Sequence, residues 1–112
     1  MYQNMIIFQK VYEMNLWLFP LISKFPKNQR FVLGQQMETL ALRVMMGIMR
    51  ANATREKLSH LQTLSVDLDM LRVLMRLAHD LKMITTRQYS FGSEYLSEIG
   101  RLLGGWLKSS TK

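Results

Sequence analysis

From Ile7 to Trp106 the apolar residues return every three or four positions, and very little interrupts them. That is the period of one helix face; a half-buried strand would alternate every second residue, and no stretch here does so for long. The chain carries only two prolines and six glycines. Ile7, Val11, Met14, Leu18, Leu21 and Phe25 form a first stripe, and Leu33, Met37, Leu40, Val44 and Ile48 a second. Leu61, Leu64, Leu68, Leu71, Met75 and Ala78 form the third, and Leu96, Ile99, Leu103 and Trp106 the fourth. Pro20 removes one backbone donor, but the first stripe continues past it, so a kink near residues 16–20 is expected and not an end. Pro26 and Asn28 mark the next break, with Asn28 placed to cap the second helix. Two caps compete for the third helix: Thr54, and Ser59 with Gln62 in capping-box spacing. Thr85 and Gln88 have the same spacing before the fourth. The result is four helices of roughly 20 to 25 residues, each about 30 to 37 Å long. Short connections between them predict an all-α, antiparallel up-down-up-down four-helix bundle, one domain over residues 1–112.

A monomeric bundle needs one apolar stripe per helix, about 100° wide. The second helix carries another set, Ala41, Leu42, Met45, Met46 and Met49, and the third carries Met70, Val73, Leu74, Leu77 and Leu81. Soluble monomers usually avoid exposing such faces, so a homo-oligomer is expected. Most of the ten methionines fall on apolar helical positions. With no cysteine, disulfide frameworks and thiolate metal sites are excluded, and a reducing compartment is the natural expectation. The apolar runs are too short for a membrane span. Gln9, Lys10, Glu13 and Asn15 break up what would be the core of a signal peptide, so a cytoplasmic location is expected.

Nothing in the sequence resembles a catalytic constellation. Neither His60 nor His79 has a histidine four residues away. Asp67, Asp69, Glu94 and Glu98 lack the Glu-x-x-His arrangement of di-iron bundles, and Gly104-Gly105 lies inside a helix, not between strand and helix. The reading is a protein that binds and does not catalyse, with no cofactor and no metal. Its partner class is suggested by 15 Lys+Arg against 8 Asp+Glu, a formal +7 that points to polyanions. The polar stripes hold Arg43 and Arg50 on the second helix, Arg72 and Arg76 on the third, and Arg87, Arg101 and Lys108 on the fourth. Positions 87, 94, 101 and 108 are heptad equivalents, placing three cations and one acid on one face. Arginine predominates, and its planar fork suits phosphate. Lys27 and Arg30, before the second helix, complete the candidate nucleic-acid-binding set. Asp80 is spaced to pair with Arg76, and Asp69 to pair with Arg72. Tyr2, Tyr12, Tyr89 and Tyr95 read as isolated residues at the core edge, so binding is expected to be electrostatic and steeply salt-dependent.

The last helix contains Gly100, Gly104 and Gly105, and each interior glycine costs roughly 1 kcal/mol relative to alanine. Gly100 and Gly104 share a face, where another backbone is expected to approach closely. The run Phe25-Pro-Lys-Asn-Gln-Arg-Phe-Val-Leu-Gly-Gln35, then Leu71-Arg-Val-Leu-Met-Arg-Leu-Ala78, then Ile99-Gly-Arg-Leu-Leu-Gly-Gly-Trp106, resembles the accessory variability determinant (Avd) proteins of diversity-generating retroelements. More loosely it is similar to their relatives encoded in intervening sequences of bacterial 23S ribosomal RNA genes. The closing glycine-rich segment is the most specific part. The resemblance implies a four-helix bundle assembled as a homopentameric barrel with a positive surface. It implies an RNA-binding and DNA-binding accessory protein of the element's reverse transcriptase, acting on its template RNA in mutagenic retrohoming. Five copies of +7 make a formal charge of +35. The alternative is the ribosomal intervening-sequence relative, with a general RNA-binding or interaction role.

Overall fold

A computed structural model describes the backbone of residues 2–111 and the side chains of residues 5–111, so the Tyr2 side chain lies outside the described residues. Four long helices follow one another: α1 (Tyr2–Ser23), α2 (Gln35–Ala53), α3 (Leu58–Asp80) and α4 (Thr86–Ser110). Among the described residues there is no strand. The direction of each neighbour can be read from its contacts. Asn15 meets Ala41 and Ile22 meets Gly34; Arg43 meets Asp67 and Leu64 meets Gly47. Arg72 meets Leu96, Met75 meets Gly92 and His79 meets Tyr89, while Lys10 meets Glu98 and Trp17 meets Phe91. In every pair one residue number rises as the other falls, so all four contacts are antiparallel and α4 closes back on α1. The body measures 45 × 23 × 19 Å.

The core is built from the expected stripes. All the residues of the second, third and fourth stripes are buried, and burying each large one contributes about 1.5–3 kcal/mol. In α1 the buried residue is Ile22, and Leu21 is half-buried. At about 100° per residue Leu21 and Ile22 lie on opposite sides of the stripe through Ile7, roughly 40° and 60° from it, so the period alone does not choose between them. The helix does run on through Pro20, whose ring is exposed. Ala41 belongs to the core and not to a second face. Among the described residues Asn15 and Asp67 are the buried polar ones; the Asn15 amide donates a 3.4 Å hydrogen bond to the Ala41 carbonyl, and its Oδ1 has no partner.

The helix starts differ from expectation where capping competes with other local bonds. Asn28 is not the cap of the second helix. Helical structure begins at Lys27, with Pro26 in the cap position, and Asn28 Oδ1 accepts from the next backbone N–H. A single turn, Lys27–Gln29, leads into a π-helical segment, Arg30–Gly34, where Gln35 N–H reaches back to the Arg30 carbonyl. This wide turn leaves Phe31 and Val32 in solvent and brings Leu33 and Gly34 inside. A Cβ on Gly34 would lie 2.7 Å from Ile22 Cγ2, so this glycine permits the close approach of α1 to α2. Thr54 does not cap α3 either; its hydroxyl donates to the Arg50 carbonyl, closing α2. Lys57 Nζ donates to the Ala51 and Thr54 carbonyls, and Ser59 lies within α3. The capping box at the start of α4 forms as expected, with Gln88 N–H on Thr85 Oγ1 and Thr85 N–H on Gln88 Oε1.

Helix α3 ends on Lys82, which holds a φ of 62° while Lys82 N–H and Met83 N–H bond the His79 and Ala78 carbonyls. That is the geometry glycine fits best. Lys82→Gly should raise stability by about 1 kcal/mol, read as a higher urea midpoint at unchanged slope. A lower midpoint would mean that the lysine side chain contributes more than its backbone strain costs.

Candidate nucleic-acid interface

Once helix directions are fixed, the charges sort along the bundle. One end gathers the C-termini of α1 and α3 with the N-termini of α2 and α4; the cations Lys24, Lys27, Arg30, Arg76, Lys82 and Arg87 lie there with two acids, Asp80 and, in the first turn of α2, Glu38. The opposite end carries Arg50, Arg55, Lys57 and Lys108 with Glu56. Glu13, Asp67, Asp69, Glu94 and Glu98 occupy the waist.

Most waist cations are already engaged. Arg43 Nη2 lies 3.0 Å from Oδ1 of Asp67, a carboxylate only 5% exposed. Lys10 and Arg101 both lie near Glu98, at 3.4 and 3.9 Å. Arg72 Nη2 donates to the Leu96 carbonyl at 2.9 Å, so the expected pair with Asp69 does not form. Arg76 does pair with Asp80, at 3.9 Å and largely in solvent, a contact worth about 0–1 kcal/mol. Arg30 Nη1 donates to the Ser23 carbonyl at 3.0 Å, and Arg30 Cζ lies 6.0 Å from the Phe31 ring centroid. The candidates therefore divide. Among the described residues Lys27, Arg50, Arg87 and Lys108 have exposed side chains with no hydrogen bond or ion pair, and all four sit at the ends. Helix α2 ends beside Arg50 and helix α4 beside Lys108, where a cation is also favoured by the negative end of the helix dipole.

Two arrangements were invisible to a reading along the chain. Gly100 faces the Arg72 guanidinium and not another backbone, while Gly104 and Gly105 face open space. Trp17, Phe91 and Tyr95 form one cluster across α1 and α4, with centroids 5.2 to 6.5 Å apart, and Trp17 packs where a Cβ on Gly92 would stand. Tyr89 stacks on His79 at 4.7 Å and Tyr12 lies 6.2 Å from Phe8, so these tyrosines are not isolated. No three His, Asp or Glu side chains gather to hold a metal among the described residues, and no helix there is long and apolar enough to cross a membrane.

Two apolar faces remain uncovered. Along the α2–α3 groove, Val66, Met70, Val73, Leu77 and Leu81 are 41% or more exposed, with Val32, Leu33, Leu40 and Leu74 as floor and walls. On the α1–α2 side, Met5, Tyr12 and Leu16 run beside Leu42, Met46 and Met49.

A family model described as bAvd-like matches residues 5–110. The chain belongs to the bAvd-like family. A solved structure with the same fold is a protein of unknown function from the S23 ribosomal protein family of Bacteroides thetaiotaomicron; it is 17% identical, covers 95% of this chain and 98% of its own, and superposes with a TM-score of 0.87. No curated protein matches the sequence. For this bAvd-like chain the structural likeness fixes the four-helix architecture, and the charged ends and apolar faces are its own surface features.

Proposed function

We propose that this bAvd-like chain is a non-catalytic accessory subunit of a retroelement reverse transcriptase, a homo-oligomer that binds the element's template RNA and supports mutagenic cDNA synthesis. The observation that carries the reading is the sorting of charge, in a chain of this family, into two basic ends around a waist that holds most of the acids and cations largely engaged by carboxylates or carbonyls. Its two apolar faces lie on different sides of α2. Unlike faces are what a head-to-tail ring needs, whereas a two-fold dimer joins one face to itself. Copies set side by side through these faces would bring their ends together as two basic rims, in line with a pentameric barrel.

The test is co-purification with the element's reverse transcriptase, and cDNA synthesis on template RNA with and without this chain. Synthesis that is unaffected by the chain would refute the reading. RNA binding is expected to fall steeply with salt. If Lys27, Arg50, Arg87 and Lys108 each neutralise one phosphate of a single strand, affinity drops roughly fiftyfold between about 50 and 200 mM salt. A flat salt response would remove the electrostatic basis.

The likeness to the S23 family protein favours a second reading, a ribosomal intervening-sequence relative with a general RNA-binding role. A ribosomal RNA gene beside the coding sequence would favour that alternative; a reverse transcriptase flanked by template and variable repeats would favour the first.

A further inference from the structure

We infer that Gly100 is the seat of the Arg72 guanidinium, and that the seat presets Arg72 as a fork for a phosphodiester of the bound RNA backbone; this rests on the nucleic-acid reading above. A glycine inside α4 weakens the helix relative to alanine, so its bare backbone needs a use. The geometry supplies one. A Cβ on Gly100 would collide with Arg72 Nη2 and lie 3.4 Å from Arg72 Cζ, with Leu68 Cδ2 beneath at 3.8 Å. The guanidinium therefore lies on the helix itself, donating to the carbonyl of Leu96, one turn before Gly100. That carbonyl is a helix-interior acceptor whose second lone pair is free for a side chain.

Arg72 nevertheless stays exposed, and among the described residues no carboxylate pairs with it. A guanidinium has five N–H donors in a rigid plane. With Nη2 anchored, the remaining donors are held at the α3–α4 surface, where two phosphate oxygens can be met together. An unanchored arginine must give up rotamer freedom when it binds; a seated one has already done so. Gly100 is thus a positioning residue, acting on RNA only through Arg72. As a brace between α3 and α4 alone, the same contact would affect stability and leave affinity untouched.

Four proteins decide this: the full chain, Arg72→Ala, Gly100→Ala and the double variant, each titrated into a labelled single-stranded RNA across a salt series, with melting curves beside them. Removing one phosphate contact should weaken binding by roughly fivefold at about 0.1 M salt and make the salt slope shallower by about 0.7. Gly100→Ala should weaken binding by about two- to fivefold while its melting temperature holds or rises, because only the flexible tip of Arg72 has to move. The double variant should bind no more weakly than Arg72→Ala, since Gly100 has nothing left to position. Equal affinity of Gly100→Ala and the unaltered chain overturns the inference, as does a double variant in which the two losses multiply. A full chain that ignores RNA at low salt overturns the nucleic-acid reading first. One that binds while Arg72→Ala binds equally well overturns the inference alone.

Discussion

Val73→Glu is expected to leave a folded 13.2 kDa monomer if, as proposed, copies of the chain join through the α2–α3 groove. Val73 is 64% exposed in the middle of the α2–α3 groove, so the isolated bundle barely registers the change; surface substitutions of this kind typically stay within about 0.5 kcal/mol. In a ring closed through that groove the same glutamate would be buried at every subunit contact. An unpaired charge taken out of water costs several kcal/mol, to order of magnitude, and in a closed ring that cost recurs at each interface. Sizing at micromolar concentration should show the monomer, with the helical circular dichroism of the parent. A variant that elutes with the parent would place the subunit contact elsewhere, and the α1–α2 side with Leu16 and Met46 would be the next to alter.

Removing assembly should also weaken RNA binding beyond what one added negative charge explains. The free cations Lys27 and Arg87 sit at one end of the bundle and Arg50 and Lys108 at the other. With Lys24 and Lys82 at the first end and Arg55 at the second, all exposed, a single copy offers, among the described residues, four unpaired cations at one end and three at the other. Copies joined side by side would multiply that number along a rim that a nucleic-acid strand can follow, and each added phosphate contact steepens the salt response.

How far the sequence led depended on the range of each interaction. The four stripes were legible because burial imposes a 3.6-residue period on every helix, and the unburied second sets were legible for the same reason: Leu42, Met46, Val73 and Leu77 do face solvent. Helix starts were less legible. Thr85 with Gln88 satisfied two donors at once and prevailed, whereas Asn28 and Thr54 found other bonds to their own neighbours and capped nothing. The π-helical turn at Arg30–Gly34 shifts the register of one face by a single residue, and periodicity alone does not register it. The charge sorting becomes visible in the sequence once the helices are given alternating directions, because Glu13, Asp67, Asp69, Glu94 and Glu98 then fall in the interior of their helices while most cations fall towards the ends. The seat of Arg72 on Gly100 was out of reach. It joins residues on two helices, and only the antiparallel register of α3 on α4 brings them together.

The same register separates Arg43 from the other candidate cations, and its removal should act on the fold instead of on RNA. Asp67 lies between α2 and α3 with its carboxylate 5% exposed, and Arg43 Nη2 at 3.0 Å is its recorded partner. Arg43→Ala leaves that carboxylate buried without a counter-charge. Breaking a wholly buried pair costs about 3–5 kcal/mol; Arg43 is itself 49% exposed, so about 2–3 kcal/mol is expected here. For a domain of this size that corresponds to a melting temperature lower by roughly 10 °C. Replacing both partners, as Arg43→Met with Asp67→Leu, should recover most of the loss, because no buried charge then remains. At temperatures where Arg43→Ala is folded, its RNA affinity and salt slope should match the parent. The opposite pattern, an unchanged melting temperature with a shallower salt slope, would make Arg43 a phosphate contact and Asp67 merely its tether. The two outcomes cannot both hold, since a guanidinium committed to a buried carboxylate at 3.0 Å must break that contact before it can turn its fork to a phosphate.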